Sequence, residues 1–242
     1  MLGVQLYPGE KTEDLQRGNI KIIRGEKGFT YGTDSILLAY FANVKKNSKV
    51  CDLGAGNGIL SMLLYARESS ILVDAVEIDA LQADRIKRSA MLNNIQDKIK
   101  TYNADFRKIS EVLQPASYDM VISNPPYYEM RGDSARTQIT ANFKDLAKSA
   151  GFLLKNRGRL VTMCPAMSMF KMSNVMQEEK FSISRLRFVV SKAGKKPYLA
   201  LIEGRFNTNS ECIIEPTLTV LDEFGNYTDE AQHIYFGTEE YK

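Results

Sequence analysis

The sequence predicts an α/β protein whose mostly parallel sheet has helices on both faces and ends in an antiparallel hairpin. Over residues 49–179, strand-like apolar runs alternate with helical segments of about ten residues or more, which is typical of βαβ units. Two further strand-like runs, at 183–190 and 198–205, are separated only by a turn-rich segment. They predict the hairpin, a feature that the sheet of the usual dehydrogenase lacks.

Each element follows from its own pattern. A helix is predicted over 33–44, where apolar residues recur with helical spacing after a polar start that has one strand-like piece at 19–24. Strands are then predicted at 49–53, 71–78, 99–104, 118–123 and 159–164, and helices at 59–67, 81–93, 139–155 and 167–179. The end of the chain is predicted as a strand at 212–221 and a short helix at 228–234, or as partly disordered.

Charge and pattern divide the chain into three segments. We expect an N-terminal extension on the substrate side (1–32), the α/β domain (33–207) and an acidic C-terminal extension (208–242). The net charge of the 242 residues is +3, but residues 131–202 have 14 basic and 4 acidic side chains, whereas 203–242 have 2 and 9. A basic middle third indicates a surface for a polyanion such as nucleic acid, although solvated helix faces explain it equally well.

Composition argues against several kinds of site. The single histidine, His233, excludes a metal site with two or three histidine ligands and leaves a Ser-His-Asp triad only a residue near the C-terminus. Three widely separated cysteines without a CxxC pattern predict neither a disulfide framework nor a thiolate zinc site. No apolar run reaches about 18 residues, and the start lacks a secretory signal. We therefore expect a cytoplasmic protein without a membrane or a metal partner.

A glycine-rich segment, Asp-Leu-Gly-Ala-Gly-Asn-Gly at 52–58, follows the first strong strand and begins a helix. Its glycines allow positive φ and a close approach of a ligand to the backbone. Glu77 ends the next strand, where a carboxylate can accept hydrogen bonds from both hydroxyls of a ribose. Ligands of such sheets bind at the carboxyl ends of the strands, so a nucleoside site is expected here. A tight strand-helix turn explains the glycines equally well when they are taken alone.

The acidic residue before the glycines discriminates between nucleoside cofactors. Asp52 disfavours a pyrophosphate and favours the ammonium of an amino acid, and the glycines run GxGxG rather than GxGxxG. Both features favour S-adenosylmethionine over NAD. After the third strand, Asp105 would accept a hydrogen bond from the adenine amine, and Phe106 would lie beside the ring. The alternative for Asp105 is a helix N-cap.

A hydrophobic strand then runs directly into Asn124-Pro125-Pro126-Tyr127. The prolines fix φ and lack N–H groups, so the chain leaves the sheet rigidly. The side-chain oxygen of Asn124 and the carbonyl of Pro125 can accept both N–H bonds of a conjugated amino group, and so aim its lone pair at a sulfonium methyl. Tyr127 offers a face for stacking the target. The alternative for this tetrapeptide alone is a strand-terminating turn.

Over roughly residues 15–206, these motifs resemble the bacterial tRNA1(Val) adenine-37 N6-methyltransferase family, within the Rossmann-like class I S-adenosylmethionine-dependent methyltransferases. The resemblance rests on the helix motif at 28–38, the 52–58 loop, Val76-Glu77-Ile78-Asp79, the 124–127 tetrapeptide and the hairpin segment 195–204. Several amine methyltransferases share the tetrapeptide, so it indicates the chemistry more than the substrate. The resemblance implies that residues 33–207 are the methyltransferase domain. It also implies that Thr33 lies near the methionine end of the cofactor, where the alternative is a helix cap.

The motifs and the resemblance together give the expected site. Catalysis is assigned to Asn124, Pro125, Pro126 and Tyr127. Cofactor contacts are expected from Thr33, Asp52, Leu53, Gly54, Ala55, Gly56, Gly58, Glu77, Ile78, Asp105, Phe106 and Asn124. RNA contacts are expected from Arg131, Arg136, Lys192, Lys195 and Lys196, and Arg185 and Arg187 are expected to add positive charge near the hairpin.

The leading interpretation is N6-methylation of an adenosine in tRNA, at A37 of tRNA1(Val) if the resemblance extends to the substrate. Methylation of a glutamine amide in a protein such as a release factor suits the same two acceptors, but that family usually has a helical N-terminal domain. DNA adenine methylation is disfavoured because no target-recognition domain is evident. The intact Asp52, Glu77 and tetrapeptide argue against a non-catalytic RNA-binding scaffold. The oligomeric state stays open.

Overall fold

The computed structural model describes residues 4–25, 33–125 and 133–237, with the backbone alone over 133–142. The strands are β1 (Glu10–Asp14), β2 (Lys21–Gly25), β3 (Lys49–Leu53), β4 (Leu72–Glu77), β5 (Ile99–Asn103), β6 (Tyr118–Ser123), β7 (Leu154–Pro165), β8 (Phe181–Lys192), β9 (Leu199–Phe206), β10 (Ile213–Ile214) and β11 (Leu218–Leu221). The helices are α1 (Thr33–Phe41), α2 (Ile59–Arg67), α3 (Ala80–Leu92), α4 (Asp133–Leu153), α5 (Met169–Glu178) and α6 (Asp229–Phe236). Short 3-10 segments lie at Phe106–Glu111 and Ala166–Ser168.

Within this part of the chain, nine strands form one sheet in the order β10-β8-β9-β7-β6-β3-β4-β5, with β11 also paired to β8. The five strands from β7 to β5 in this order are parallel to one another. Strand β9 is antiparallel to both β7 and β8, which forms the hairpin. The predicted α/β class, the mostly parallel sheet and the C-terminal hairpin are therefore confirmed.

The topology gathers four strand ends at one edge of the sheet. Strand β3 lies between β4 and β6, so the segments that follow β3, β4, β5 and β6 all leave the sheet on the same side. We call this side the carboxyl edge and the opposite side, where these strands begin, the amino edge. Strands β3 and β6 are buried almost throughout because they run through the centre of the apolar core. Ligand sites of parallel α/β sheets lie at the carboxyl edge.

The acidic C-terminal extension is built onto the sheet. Its strands β10 and β11 pair parallel with β8, and its helix α6 packs against α1 and β11. The single strand predicted over 212–221 is wrong, since Pro216 separates two short strands. A proline has no N–H to donate to a strand ladder. The division of the chain into three segments at residues 32 and 207 stays a prediction.

The arginines of the hairpin are bound inside the fold. Arg185 forms ion pairs with Glu203 (3.2 Å) and Glu215 (2.8 Å), and Arg187 forms one with Glu230 (2.7 Å). Arg187 also donates to a backbone carbonyl of the extension. The expectation that these two arginines add positive charge to the surface is therefore wrong. Carboxylates that follow them in the sequence neutralise them.

Three arginines, two of them from the basic region, fix the C-terminal end of α1. The last carbonyl groups of a helix have no partner within the helix, and cationic donors near them are stabilising. Here the carbonyls of residues 39–43 accept hydrogen bonds from Arg67, Arg185 and Arg159. Helix α1, whose first turn faces the carboxyl edge through Ser35, is thus anchored at its far end.

An N-terminal hairpin of β1 and β2 packs on α3. Buried Glu10 accepts hydrogen bonds from Arg88 and Arg85, and the Arg88 guanidinium lowers the pKa of Glu10 to about 2. Strand β1 has no counterpart in the sequence prediction, because Glu-Lys-Thr-Glu-Asp shows no alternation of apolar residues.

Other differences from the predicted elements are shifts of their ends. Helix α4 begins at Asp133 instead of 139, and β7 spans Leu154–Pro165 instead of 159–164. Among the residues described, no helix has both the length and the apolar character needed to cross a bilayer.

Candidate active site

A cleft of about 200 Å³ lies at the carboxyl edge. It is lined by Leu53, Gly54, Ile78, Asp105, Phe106, Arg107, Ser123, Asn124, Pro125, Asp145 and Leu146. Seven of these are predicted site residues, and they come from the ends of four different strands: Leu53, Gly54, Ile78, Asp105, Phe106, Asn124 and Pro125. The fold thus brings together the expected cofactor loop and the first half of the tetrapeptide. Thr33, Asp52, Ala55, Gly56, Gly58 and Glu77 do not line this cleft.

The glycine loop is held by its own backbone. Gly54, Gly56 and Gly58 have φ of +70°, +56° and +82°, a region that favours glycine. A Cβ on Gly58 would also lie 3.0 Å from the Ile86 side chain. The backbone N–H groups of residues 54–56 and 58 all donate within the protein, to Val76 O, Glu77 Oε2 and Ala55 O. Because these donors are occupied, the loop is not a phosphate cradle, which agrees with the argument against a pyrophosphate.

Asp52 lies beneath this loop, fully buried. Its Oδ2 accepts hydrogen bonds from the backbone N–H (3.1 Å) and the hydroxyl (2.7 Å) of Ser61, which lies in the N-terminal turn of α2. Its Oδ1 is buried with no hydrogen-bond partner among the described atoms. Burial raises the pKa of Asp52 to about 7, although the two bonds from Ser61 oppose this. An unpartnered carboxylate oxygen at this point suits a cationic group.

Glu77, at the end of β4, binds the backbone of the glycine loop. Its Oε2 accepts from Gly56 N at 2.7 Å and its Oε1 from Asp79 N at 2.9 Å. A carboxylate has about four lone-pair positions, so these two bonds orient Glu77 and leave it able to accept from ribose hydroxyls. The side chain of Asn103 donates to the carbonyls of Glu77 and Ile78, which fixes the backbone at this strand end.

Ile78, Phe106 and Asp105 form one end of the cleft. Ile78 is 63% exposed, an unusual position for an isoleucine directly after a buried strand, and Phe106 packs partly on the core. Asp105 caps the 3-10 segment through Arg107 N (2.9 Å), so the N-cap alternative holds for it. The Arg107 side chain binds the same carboxylate and lowers the pKa of Asp105. Asp105 still lines the cleft.

Asn124 is set against the glycine loop and α1. Ser123 donates its hydroxyl to Leu53 O at 2.7 Å, which ties the end of β6 to the end of β3. The amide nitrogen of Asn124 donates to the hydroxyl oxygen of Ser35 at 3.0 Å. Pro125 follows on the cleft wall. The two residues predicted to supply acceptors for an amino group, Asn124 and Pro125, therefore line the same cleft as residues predicted to bind a nucleoside.

Thr33 is the first residue of α1, and its side chain is hydrogen-bonded to the hydroxyl of Tyr235 in α6. Burial raises the pKa of Tyr235 to about 12. The acidic extension therefore contacts the start of the helix that carries Ser35. No group of three His, Cys, Asp or Glu side chains in the described ranges could hold a metal ion.

Comparisons with known proteins agree with this geometry. A family model described as the methyltransferase small domain matches residues 25–192, more than half of the chain. The chain belongs to this methyltransferase family. It is 30% identical over 179 residues to the tRNA1(Val) (adenine(37)-N6)-methyltransferase of Cronobacter sakazakii, covering 71% of this chain and 73% of that protein. It is 28% identical over 219 residues to the protein of the same name from Bacteroides thetaiotaomicron, covering 87% and 86%. The resemblance seen in the sequence is confirmed.

Among solved structures, the methyltransferase resembles a predicted O-methyltransferase, protein Atu636 from Agrobacterium tumefaciens. The TM-score is 0.73 at 18% identity, and the match covers 86% of this chain and 97% of that one. At this identity the likeness supports the fold alone.

Several predicted residues of the methyltransferase lie outside the described part of the chain. These are Pro126, Tyr127, Arg131, the side chain of Arg136, and residues 28–32 of the helix motif. Lys192, Lys195 and Lys196 are described at the turn between β8 and β9, on the carboxyl edge. Lys195 and Lys196 are exposed, and the Lys192 ammonium donates to the carbonyl of Glu223 in the acidic extension.

Sequence reasoning missed other residues of the site. Ser35, Ser61, Asn103 and Ser123 hold predicted residues through hydrogen bonds, and Arg107, Asp145 and Leu146 complete the cleft wall. Small polar residues in helices and strands carry no spacing signal, so a single sequence gives no reason to select them. Asn103 is the exception, because it ends strand β5 as Glu77 ends strand β4.

Proposed function

We propose that this methyltransferase transfers a methyl group from S-adenosylmethionine to the exocyclic N6 of an adenosine in tRNA. The observation that carries the proposal is that Asn124 and Pro125 share one cleft with Leu53, Gly54, Ile78, Asp105 and Phe106. The sequence relatives named as tRNA1(Val) (adenine(37)-N6)-methyltransferases support A37 of that tRNA as the target. A tRNA substrate also supports a cytoplasmic location.

The residues present fit the cofactor. Exposed Ile78 and half-buried Phe106 offer apolar surface to an adenine ring, and Asp105 offers an acceptor for its amine. Glu77 retains lone pairs for ribose hydroxyls. The buried Oδ1 of Asp52, which has no partner within the described ranges, suits the positive charge of the methionine part. When bound, S-adenosylmethionine supplies a methyl group on a positively charged sulfur.

The protein's contribution to the reaction is to position the acceptor amine. The nitrogen of an adenine amine is a weak nucleophile because its lone pair is delocalised into the ring. Asn124 Oδ1 and the Pro125 carbonyl accept its two N–H bonds, favour a tetrahedral nitrogen and aim the lone pair into the cleft. Fixed acceptors of this kind act without reorganising during the reaction. The reaction releases one proton, which water at the mouth of the cleft can take.

The exposed lysines of the carboxyl edge support an RNA substrate. Lys195 and Lys196 lie at a turn on the same edge as Asn124, where they can contact phosphates beside a nucleotide flipped into the cleft. Lys192 adds charge to the same turn. Arg131 and Arg136, which follow the tetrapeptide in the sequence, are also proposed to contact phosphates of the RNA.

The deciding experiment incubates the protein with S-adenosylmethionine and unmodified bulk tRNA, then analyses the digested nucleosides by mass spectrometry. We expect new N6-methyladenosine with the wild-type protein and none with Asn124→Ala. Binding of S-adenosylmethionine by both proteins is measured in parallel. If the cofactor binds and no methylated nucleoside forms, the tRNA assignment is wrong, and a protein glutamine becomes the next acceptor to test.

A further inference from the structure

The amide of Asn124 has a buried partner on a different element. Its Nδ2 donates to Ser35 Oγ at 3.0 Å, and Ser35 is only 2% exposed. The two residues are 89 positions apart in sequence, so only the tertiary fold brings them together. Asn124 itself is half-buried and lines the cleft.

Packing alone does not explain why residue 35 is a serine. Serine is a poorer helix former than alanine, and a buried hydroxyl is costly unless it is hydrogen-bonded. The neighbouring buried positions of α1 are apolar: Leu37, Leu38, Ala39 and Phe41. Packing alone would be served by alanine at 35. The hydroxyl is used to bind the amide of Asn124.

We propose that Ser35 is a positioning residue for Asn124. The side-chain amide is planar, so with Nδ2 directed at α1 its Oδ1 lies on the opposite side. Rotation about the last side-chain bond of asparagine has two broad minima, and the rotated amide would direct N–H donors at the N–H donors of a substrate amine. With Ser35 Oγ as the acceptor, as it is here, the bond holds the rotamer in which Asn124 Oδ1 is directed away from α1 and can accept from the substrate. This role rests on the proposed function, because it matters only for an amine or amide substrate.

Helix α1 is a rigid support for this contact. Its C-terminal carbonyls are bound by three arginines, and Thr33 at its start is bonded to Tyr235. A group that orients a reacting side chain is effective when it lies on such a fixed element. The position of Ser35 is therefore determined by contacts that do not involve the substrate.

The test compares Ser35→Ala with Ser35→Thr and Ser89→Ala. Loss of one neutral hydrogen bond changes the population of the productive rotamer by about 5- to 10-fold. We expect Ser35→Ala to lower kcat by that factor, with KM for tRNA and Kd for S-adenosylmethionine unchanged within about twofold. Ser35→Thr keeps the acceptor oxygen and should retain most of kcat. Ser89→Ala is the matched control, since it also removes a buried hydroxyl that accepts a hydrogen bond (from Ile23 N, 2.9 Å), and its kcat should not change.

A second readout needs neither substrate nor cofactor. In NMR spectra, the side-chain amide of Asn124 is identified by its absence from Asn124→Ala, and its protons should exchange at least about fivefold faster in Ser35→Ala than in the wild type. Unchanged exchange together with unchanged kcat would overturn the role of Ser35. If exchange rises while the wild-type protein methylates no tRNA, the contact is real and the proposed function has failed instead.

Discussion

The two edges of the central sheet hold two clefts of different construction. At the carboxyl edge, residues from four strand ends line a cleft of about 200 Å³. At the amino edge, a cleft of about 350 Å³ is lined by six cations (Lys45, Lys46, Lys155, Arg157, Arg159 and Arg205) and by the carboxylate of Asp119. Charge alone would select the amino edge as the functional one.

The two clefts differ in how their polar groups are hydrogen-bonded. At the amino edge, Lys155 is paired with Asp119 (2.7 Å) at the surface and Arg159 with Glu203 (3.0 Å) inside the fold. At the carboxyl edge, acceptors and donors such as Asn124, Glu77 and Asn103 are each oriented by a second group. The comparison teaches that oriented, converging polar groups indicate a reaction centre better than charge density does.

The largest effect should come from the carboxyl edge itself. Asn124→Ala removes one of two acceptors for the substrate amine, so we expect methyl transfer to fall by about 10³-fold, the scale for loss of a fixed electrostatic contact. Cofactor affinity should change by less than about threefold. Single-turnover assays with labelled S-adenosylmethionine and equilibrium binding measure the two quantities. Near-normal transfer by this variant would contradict the mechanism.

The contributions of Asp52 and Asp119 to the stability of the fold should depend on pH with opposite sign. The folded state raises the pKa of Asp52 from 3.8 to about 7, so between these values it binds a proton that the unfolded chain has lost. The stability of the wild type should therefore decrease as pH rises from about 4 to about 7, by about 4 kcal/mol in total from this group. Asp52→Asn should lack that decrease, which denaturant unfolding of both proteins at pH 5 and pH 8 would reveal.

Asp119 provides the contrast at the amino edge. Burial opposes its ionisation, but hydrogen bonds from Lys155 and from Lys49 N outweigh burial and lower its pKa. Its contribution to stability is present above its unfolded pKa of about 4 and is lost below it. Asp119→Asn should consequently leave the change in the free energy of unfolding between pH 5 and pH 8 as it is in the wild type. If Asp52→Asn and Asp119→Asn altered the pH dependence of the free energy of unfolding equally, the two carboxylates would not differ as proposed.

A smaller effect than that of Asn124→Ala is expected for RNA binding. Lys195→Glu with Lys196→Glu at the carboxyl edge should weaken tRNA binding about 10- to 100-fold at low salt and reduce its salt dependence, because phosphate contacts are lost. Lys46→Glu with Arg157→Glu reverses the same number of charges at the amino edge and should change affinity by less than about threefold. Fluorescence anisotropy at two salt concentrations compares the pairs. Equal losses would mean that the RNA also contacts the amino edge.

Much of the fold could be predicted from sequence because its signals are local. Strands β3 and β6 and helix α2 have the bounds that apolar spacing predicts. Strand β1 could not be predicted, since it is polar and depends on pairing with β2 and on the contact of Glu10 with Arg88. The ion pairs of Arg185 and Arg187 could not be predicted either, because their carboxylate partners lie up to 43 residues away in the chain.

The sequence by itself determined the α/β class, the family and the chemical types of the site residues. The glycine loop, the acidic strand ends and the Asn-Pro-Pro-Tyr segment each carry that information within a few residues. Tertiary structure alone decided which hydroxyl orients Asn124, that Oδ1 of Asp52 has no partner among the described residues, and which cations remain on the surface. Those properties depend on distances between segments remote in sequence, and burial fixes them only when the strands and helices pack together.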